Sequence, residues 1–103
     1  MKEMNYKNYK GVVVRSRYMD NENLALMLKN KEDMGGSPIA VITINTNEKL
    51  PADQAYVKDY SENSGMLEAL KASGLVEEIL GEKVLGWVTV PLVKFNLDGV
   101  EEI

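Results

Sequence analysis

The chain has 103 residues with no cysteine and no histidine, is 45% hydrophobic and 27% charged, and carries a formal net charge of −4. That length fits one domain around one core, spanning residues 1–103, with a composition ordinary for a soluble globular protein. Without cysteine or histidine there is no disulfide framework, no thiolate or imidazole zinc site and no Ser-His-Asp or Cys-His catalysis, and the negative charge opposes nonspecific binding to nucleic-acid backbones.

Residues 1–9 are mostly polar and predict a loose lead-in. Residues 11–18 alternate as a strand, with Val12, Val14, Ser16 and Tyr18 on one face and Val13, Arg15 and Arg17 on the other. The turn formers Asp20-Asn21-Glu22-Asn23 follow. Residues 24–30 resume the alternation, with Leu24, Leu26 and Leu28 opposite Ala25, Met27 and Lys29. The two segments predict a hairpin. The leucine-rich run also has good helix propensity, so its strand assignment rests on its short length between turn signals. Residues 31–38 predict a loop containing Gly35-Gly36-Ser37-Pro38.

The segment 39–45 is rich in β-branched residues on both faces and predicts a central strand. A loop over 46–53 and a short strand over 54–58 come next. The amphipathic helix then spans about 59–73. Asp59 and Glu62 fit a capping-box variant, with Ser61, Asn63 and Ser64 as competing caps; Met66, Leu67, Leu70 and Leu75 form its apolar side, and Gly74 its C-terminal stop. Residues 76–80 read as either a short strand or an extra helical turn, ended by Gly81. A last strand spans 84–97, with Pro91 marking an edge or a bulge. Residues 98–103 predict a frayed tail. The expected fold is α+β: an antiparallel sheet of about five strands with one amphipathic helix packed on one face, in the order β-β-β-β-α-β.

No motif for chemistry survives inspection. A calcium loop starting at Asp20 would place Ala25 where glycine is needed and Lys31 where a bidentate acid is needed. Gly35-Gly36 lacks the spacing and following lysine of a phosphate loop. The carboxylate pairs Asp59/Glu62 and Glu77/Glu78 do not converge on a pocket by spacing alone, and Asp59 and Glu62 serve better as caps. The expectation is therefore no enzyme, no cofactor and no metal. Two binding surfaces are readable. Arg15, Arg17 and Lys29, extended by Tyr56 and Lys58, form a candidate anion or nucleic-acid patch if they share one side of the sheet; the alternative is a solvated outer face. Trp87 reads as core-rim packing or as an exposed anchor for a protein partner.

The segments 17–25 (RYMDNENLA), 38–45 (PIAVITIN), 55–63 (AYVKDYSEN) and 86–92 (GWVTVPL) occur in this order. Together they resemble a family of small uncharacterised proteins, a domain of unknown function, from conjugative elements and phages of Gram-positive gut bacteria. The most distinctive block is 58–63, and capping requires neither its Tyr60 nor its Asn63, which makes these two candidate partner-binding residues beside Trp87. The resemblance implies an accessory protein of a mobile element, a protein-interaction module interfering with host defence in the manner of anti-restriction or anti-CRISPR proteins. A small ligand- or nucleic-acid-binding domain using the basic sheet face is the alternative. The N-terminal Met1-Lys2-Glu3-Met4-Asn5-Tyr6-Lys7 lacks the apolar centre of a signal peptide, and no apolar run is long enough to cross a bilayer, so the expected location is cytoplasmic, away from membranes.

Overall fold

The computed structural model describes residues 1–31 and 36–103, so the expected loop at 31–38 lies partly outside the described residues. The strands are β1 (Lys2–Tyr6), β2 (Tyr9–Arg17), β3 (Leu24–Asn30), β4 (Pro38–Val41), β5 (Thr43–Ile44) and β6 (Gln54–Val57). A 3-10 turn (Ser61–Asn63) and helix α1 (Met66–Ala72) follow, then β7 (Val76–Leu85), β8 (Val88–Phe95) and β9 (Glu101–Glu102). The α+β class is as expected, with a shorter helix and more strands.

One sheet runs β1-β2-β3-β4, with β9 parallel to β2; the other runs β5-β6-β8-β7. A single extended segment joins them. β4 pairs with β3 and β5 pairs with β6, while Ile42 between them bonds in both directions. Its N–H donates to the Leu26 carbonyl at 2.9 Å, and its carbonyl accepts from the Lys58 N–H at 2.8 Å. A strand that switches sheets at a bend makes a corner between them. The segment 39–45 is thus not a central strand, since β4 and β5 each end their sheet; it is apolar on both sides because Ile42 enters the main core and Ile44 borders a second cluster.

The main core takes Val13, Leu24, Leu26 and Leu28 from the first sheet and Ala55, Val57, Val93 and Phe95 from the second. Met66 and Leu70 of α1 cover it, both fully buried. The second cluster, Leu50, Tyr56 and Val90, lies on the other face of the second sheet. An asparagine network locks the loop that carries Leu50. Asn23 donates to the Glu48 carbonyl at 2.7 Å and to Asn45 Oδ1 at 3.3 Å, and it accepts from the Leu50 N–H at 3.0 Å. Asn21 donates to Asn45 and to the Thr46 carbonyl. The turn formers at 20–23 thus tie down a second loop.

Several expectations are corrected. Residues 1–9 are not a loose lead-in: β1 pairs with β2 from Lys2↔Val13 to Tyr6↔Tyr9, and Met4 and Tyr6 are buried. The tail is not frayed. Val100 is 4% exposed in the main core, and β9 pairs with β2 beyond the end of β1. The helix begins at Met66 rather than 59. Asp59 does cap it, from across the 3-10 turn, by accepting the Leu67 N–H at 3.0 Å. Its C-terminus is a Schellman motif: Gly74 (φ 77°) donates to Lys71, Leu75 donates to Leu70, and these two leucines pack in the core.

Residues 76–80 are strand, and Gly81 does not end it. The expected single strand 84–97 is folded back at Gly86-Trp87, where Leu85 faces Val88. Gly86 has φ 62° and Trp87 does not have a positive φ, which identifies a type II′ hairpin. Pro91 lies in β8, between β6 and β7. Odd-numbered residues of β8 turn their N–H toward β6, as the Phe95 bond to the Asp53 carbonyl shows. β6 pairing ends at Tyr56↔Leu92, so the N–H that Pro91 lacks falls at the very end of that ladder.

Candidate interaction surface

The five residues of the expected basic patch do not share a face. The register Arg17↔Leu24, Arg15↔Leu26 and Val12↔Lys29 puts both arginines on the side of the core leucines and Lys29 on the other side. The period within each strand is as expected; the pairing between them sets arginine and lysine apart. Arg15 Nε is buried without a hydrogen-bond partner, and Arg17 Nη1 donates to the Ala52 carbonyl at 2.9 Å.

Tyr56 is buried and offers no face for stacking. Its hydroxyl donates to Glu48 Oε1 at 2.7 Å, and this bond holds the Glu48 carboxyl below its usual range. Burial, then the Glu48 bond, pushes the Tyr56 hydroxyl up. Lys58 binds the Glu62 carboxylate and lies 5.7 Å from the centre of the Tyr60 ring. The Lys58 ammonium is the main reason that the Glu62 carboxyl is pulled from 4.5 down to about 2.

The block 58–63 is built into the fold. Asn63 is 3% exposed, and its Nδ2 donates to the Val41 carbonyl at 2.6 Å, fixing the 3-10 turn to β4. The Glu62 carbonyl accepts from the Tyr6 hydroxyl at 3.1 Å and the Lys7 ammonium at 3.0 Å. Tyr60 packs half-buried against the second cluster. Asn63 therefore presents no side chain to a partner, and Tyr60 presents only part of a ring.

Trp87 is different. It is 102% exposed at the hairpin tip, not at a core rim. Along β7, Val84 near the tip is 70% exposed, and Ile79 and Leu80 further down are 44% and 39% exposed. β7 is the outermost strand of its sheet. On the main-core side of the hairpin, Val84 pairs with Thr89 and Glu82 with Pro91, beyond the reach of β6. The other side is closed, because Leu85 and Val88 border the second cluster. The result is an arm with one packed face, one open face and an aromatic tip. Sequence reasoning missed Val84, Ile79 and Leu80; the available signal was Gly86, the residue a type II′ turn takes at its first central position.

The arm is acidic. Glu77, Glu78 and Glu82 are exposed along β7. Glu77 pairs with Lys94 at 3.8 Å, whereas Glu78 and Glu82 form no ion pair among the described residues. The only cation in β7, Lys83, is directed to Glu48 at 3.4 Å. An open cleft of about 570 Å³ lies at the base of the arm, with Asp53, Glu77 and Asp98 in its lining. Among the described residues no group of three or more acidic side chains is arranged to hold a metal, and no helix is long and apolar enough to cross a membrane.

No family model, curated protein or solved structure matches the chain.

Proposed function

We propose that this chain is a non-enzymatic protein-interaction module that docks on a protein partner through the β7–β8 arm. One observation carries the reading: its only tryptophan stands fully in solvent at the tip of a hairpin, flanked by exposed Val84. Burial of an indole on binding contributes more than that of almost any other side chain, and tryptophan is enriched among binding hot spots. A fold gains nothing from holding it in water.

The resemblance to accessory proteins of mobile elements supports a role in interference with host defence. An acidic module can occupy the basic nucleic-acid-binding surface of a defence protein by charge complementarity. Direct nucleic-acid binding is less well supported, because Arg15, Arg17 and Lys29 do not form one face. The test is capture from a Gram-positive host lysate at low salt, with wild type and Trp87→Ala as paired baits. A partner held by wild type and lost by Trp87→Ala supports the proposal. Equal retention by both baits refutes it.

A further inference from the structure

We propose, building on the arm as the docking element, that the open edge of β7 takes up an extended basic segment of the partner protein as an added strand. The hydrogen-bond parity of the hairpin defines the footprint. In a two-residue hairpin the closing pair, here Leu85 and Val88, exchanges both backbone bonds. Lys83↔Val90 and Gly81↔Leu92 repeat that pattern. The bonds at the other end agree: the Asn96 N–H goes to Leu75 on the β7 side, and the Phe95 N–H goes to Asp53 on the β6 side. Gly81, Lys83 and Leu85 therefore bond to β8, and the N–H and C=O groups of Glu82 and Val84 point outward with no strand beyond them.

The two halves of this edge differ. Register shifts between Val76 and Glu78 and between Ile79 and Gly81 break the first half of β7. Such bulges are a common protection against edge pairing. From Gly81 to Leu85 the ladder is regular, with no bulge, and Lys83 is drawn to Glu48. This is also where Val84 and Trp87 offer apolar surface next to the backbone groups. In strand addition, main-chain bonds hold the segment and alternate side chains select it.

Charge selects the occupant. Glu78 and Glu82 have no cationic partner among the described residues, and Glu77 lies beside them. A lysine- or arginine-bearing strand would match them. A second copy of the chain would bring the same glutamates and the same net charge of −4 to the edge, which opposes it.

The test is amide hydrogen exchange, followed by NMR on the full chain, with a short synthetic peptide of alternating lysine and valine as probe. The expected result is about tenfold slower exchange at Glu82 and Val84, with Lys83 and Leu85 unchanged because they are already bonded. The same peptide N-methylated on alternate residues should give no protection, and a glutamate-valine peptide should not bind. Glu78→Lys combined with Glu82→Lys, both at exposed positions, should weaken binding about tenfold while leaving the circular dichroism spectrum intact. Binding without protection of Glu82 and Val84, or equal binding of the N-methylated peptide, overturns strand addition. If the peptide shifts the Trp87 emission but not those amides, docking through the arm stands and strand addition alone fails. If the host partner ignores both Trp87 and the edge, both readings fail. Concentration-dependent protection without peptide would identify a second copy as the occupant and overturn the basic segment.

Discussion

Asn23→Ala tests the asparagine lock between the 18–23 and 45–50 loops. Asn23 is 3% exposed and makes three side-chain hydrogen bonds, to the Glu48 carbonyl, to Asn45 Oδ1 and from the Leu50 N–H. A net contribution of about 1 kcal/mol for each bond gives a loss of about 3 kcal/mol. The Leu50 N–H belongs to a buried residue and would be left without its acceptor, so relaxation should not recover much of that loss. For a chain of this size the midpoint of thermal unfolding should fall by roughly 12–20 °C. Asn23→Asp retains the acceptor for Leu50 but places a carboxylate against the Glu48 carbonyl and Asn45 Oδ1, and should be no better than alanine. The assay is reversible thermal or urea unfolding followed by circular dichroism. A midpoint within about 3 °C of wild type would show that the network is a surface feature and that Leu50 is held by packing alone.

Three further perturbations probe the corrected elements. Asp59→Ala removes the cap on Leu67 and should cost about 1 kcal/mol by urea unfolding, with Glu62→Gln costing less because Glu62 does not cap the helix. Val100→Ala should cost about 2 kcal/mol, since Val100 is buried in the main core; a frayed tail would show no loss. The folded-state carboxyl of Glu62 is depressed from 4.5 to about 2, so its pairing with Lys58 contributes fully above about pH 4.5 and is lost as pH falls toward 2. Lys58→Met should raise the Glu62 titration midpoint measured by NMR back toward 4.5, and an unmoved midpoint would assign the shift to backbone groups instead.

Local pattern made β2, β3 and β6 legible: Leu24–Leu28 alternate buried with half-buried, and Val12–Val14 and Ala55–Val57 are short apolar runs with polar flanks. The helix C-terminus was legible from Gly74 and Leu75 for the same reason: the whole motif lies within a few residues. What was not legible depends on distant partners. β1 shows only Met4 and Tyr6 among polar neighbours, and β9 has two residues that pair because β1 leaves that stretch of β2 open. The sides taken by Arg15, Arg17 and Lys29 follow from pairing between strands, which alternation within each strand does not specify. Asp59 caps from eight residues away, outside the usual capping spacing. Trp87 sits between two apolar runs and looks like strand interior; only Gly86 with its positive φ turns the chain there and exposes it. Block 58–63 pointed to Tyr60 and Asn63, but Glu62 and Asn63 are occupied in fixing the 3-10 turn to β1 and β4, and Tyr60 packs against the second cluster.

Trp87 is the sole tryptophan, so the fluorescence of the unlabelled chain, excited at the red edge where its five tyrosines do not absorb, reports on the hairpin tip alone. Emission and iodide quenching should match those of a free indole derivative in water before binding. With a captured partner or the lysine-valine peptide added, the emission should shift to the blue and the quenching should fall. Trp87→Ala should unfold with wild-type stability, because that side chain touches nothing whose loss would matter. An emission already blue and unquenched in the free chain, or one that stays water-like in a stable complex, would contradict the arm as the docking element.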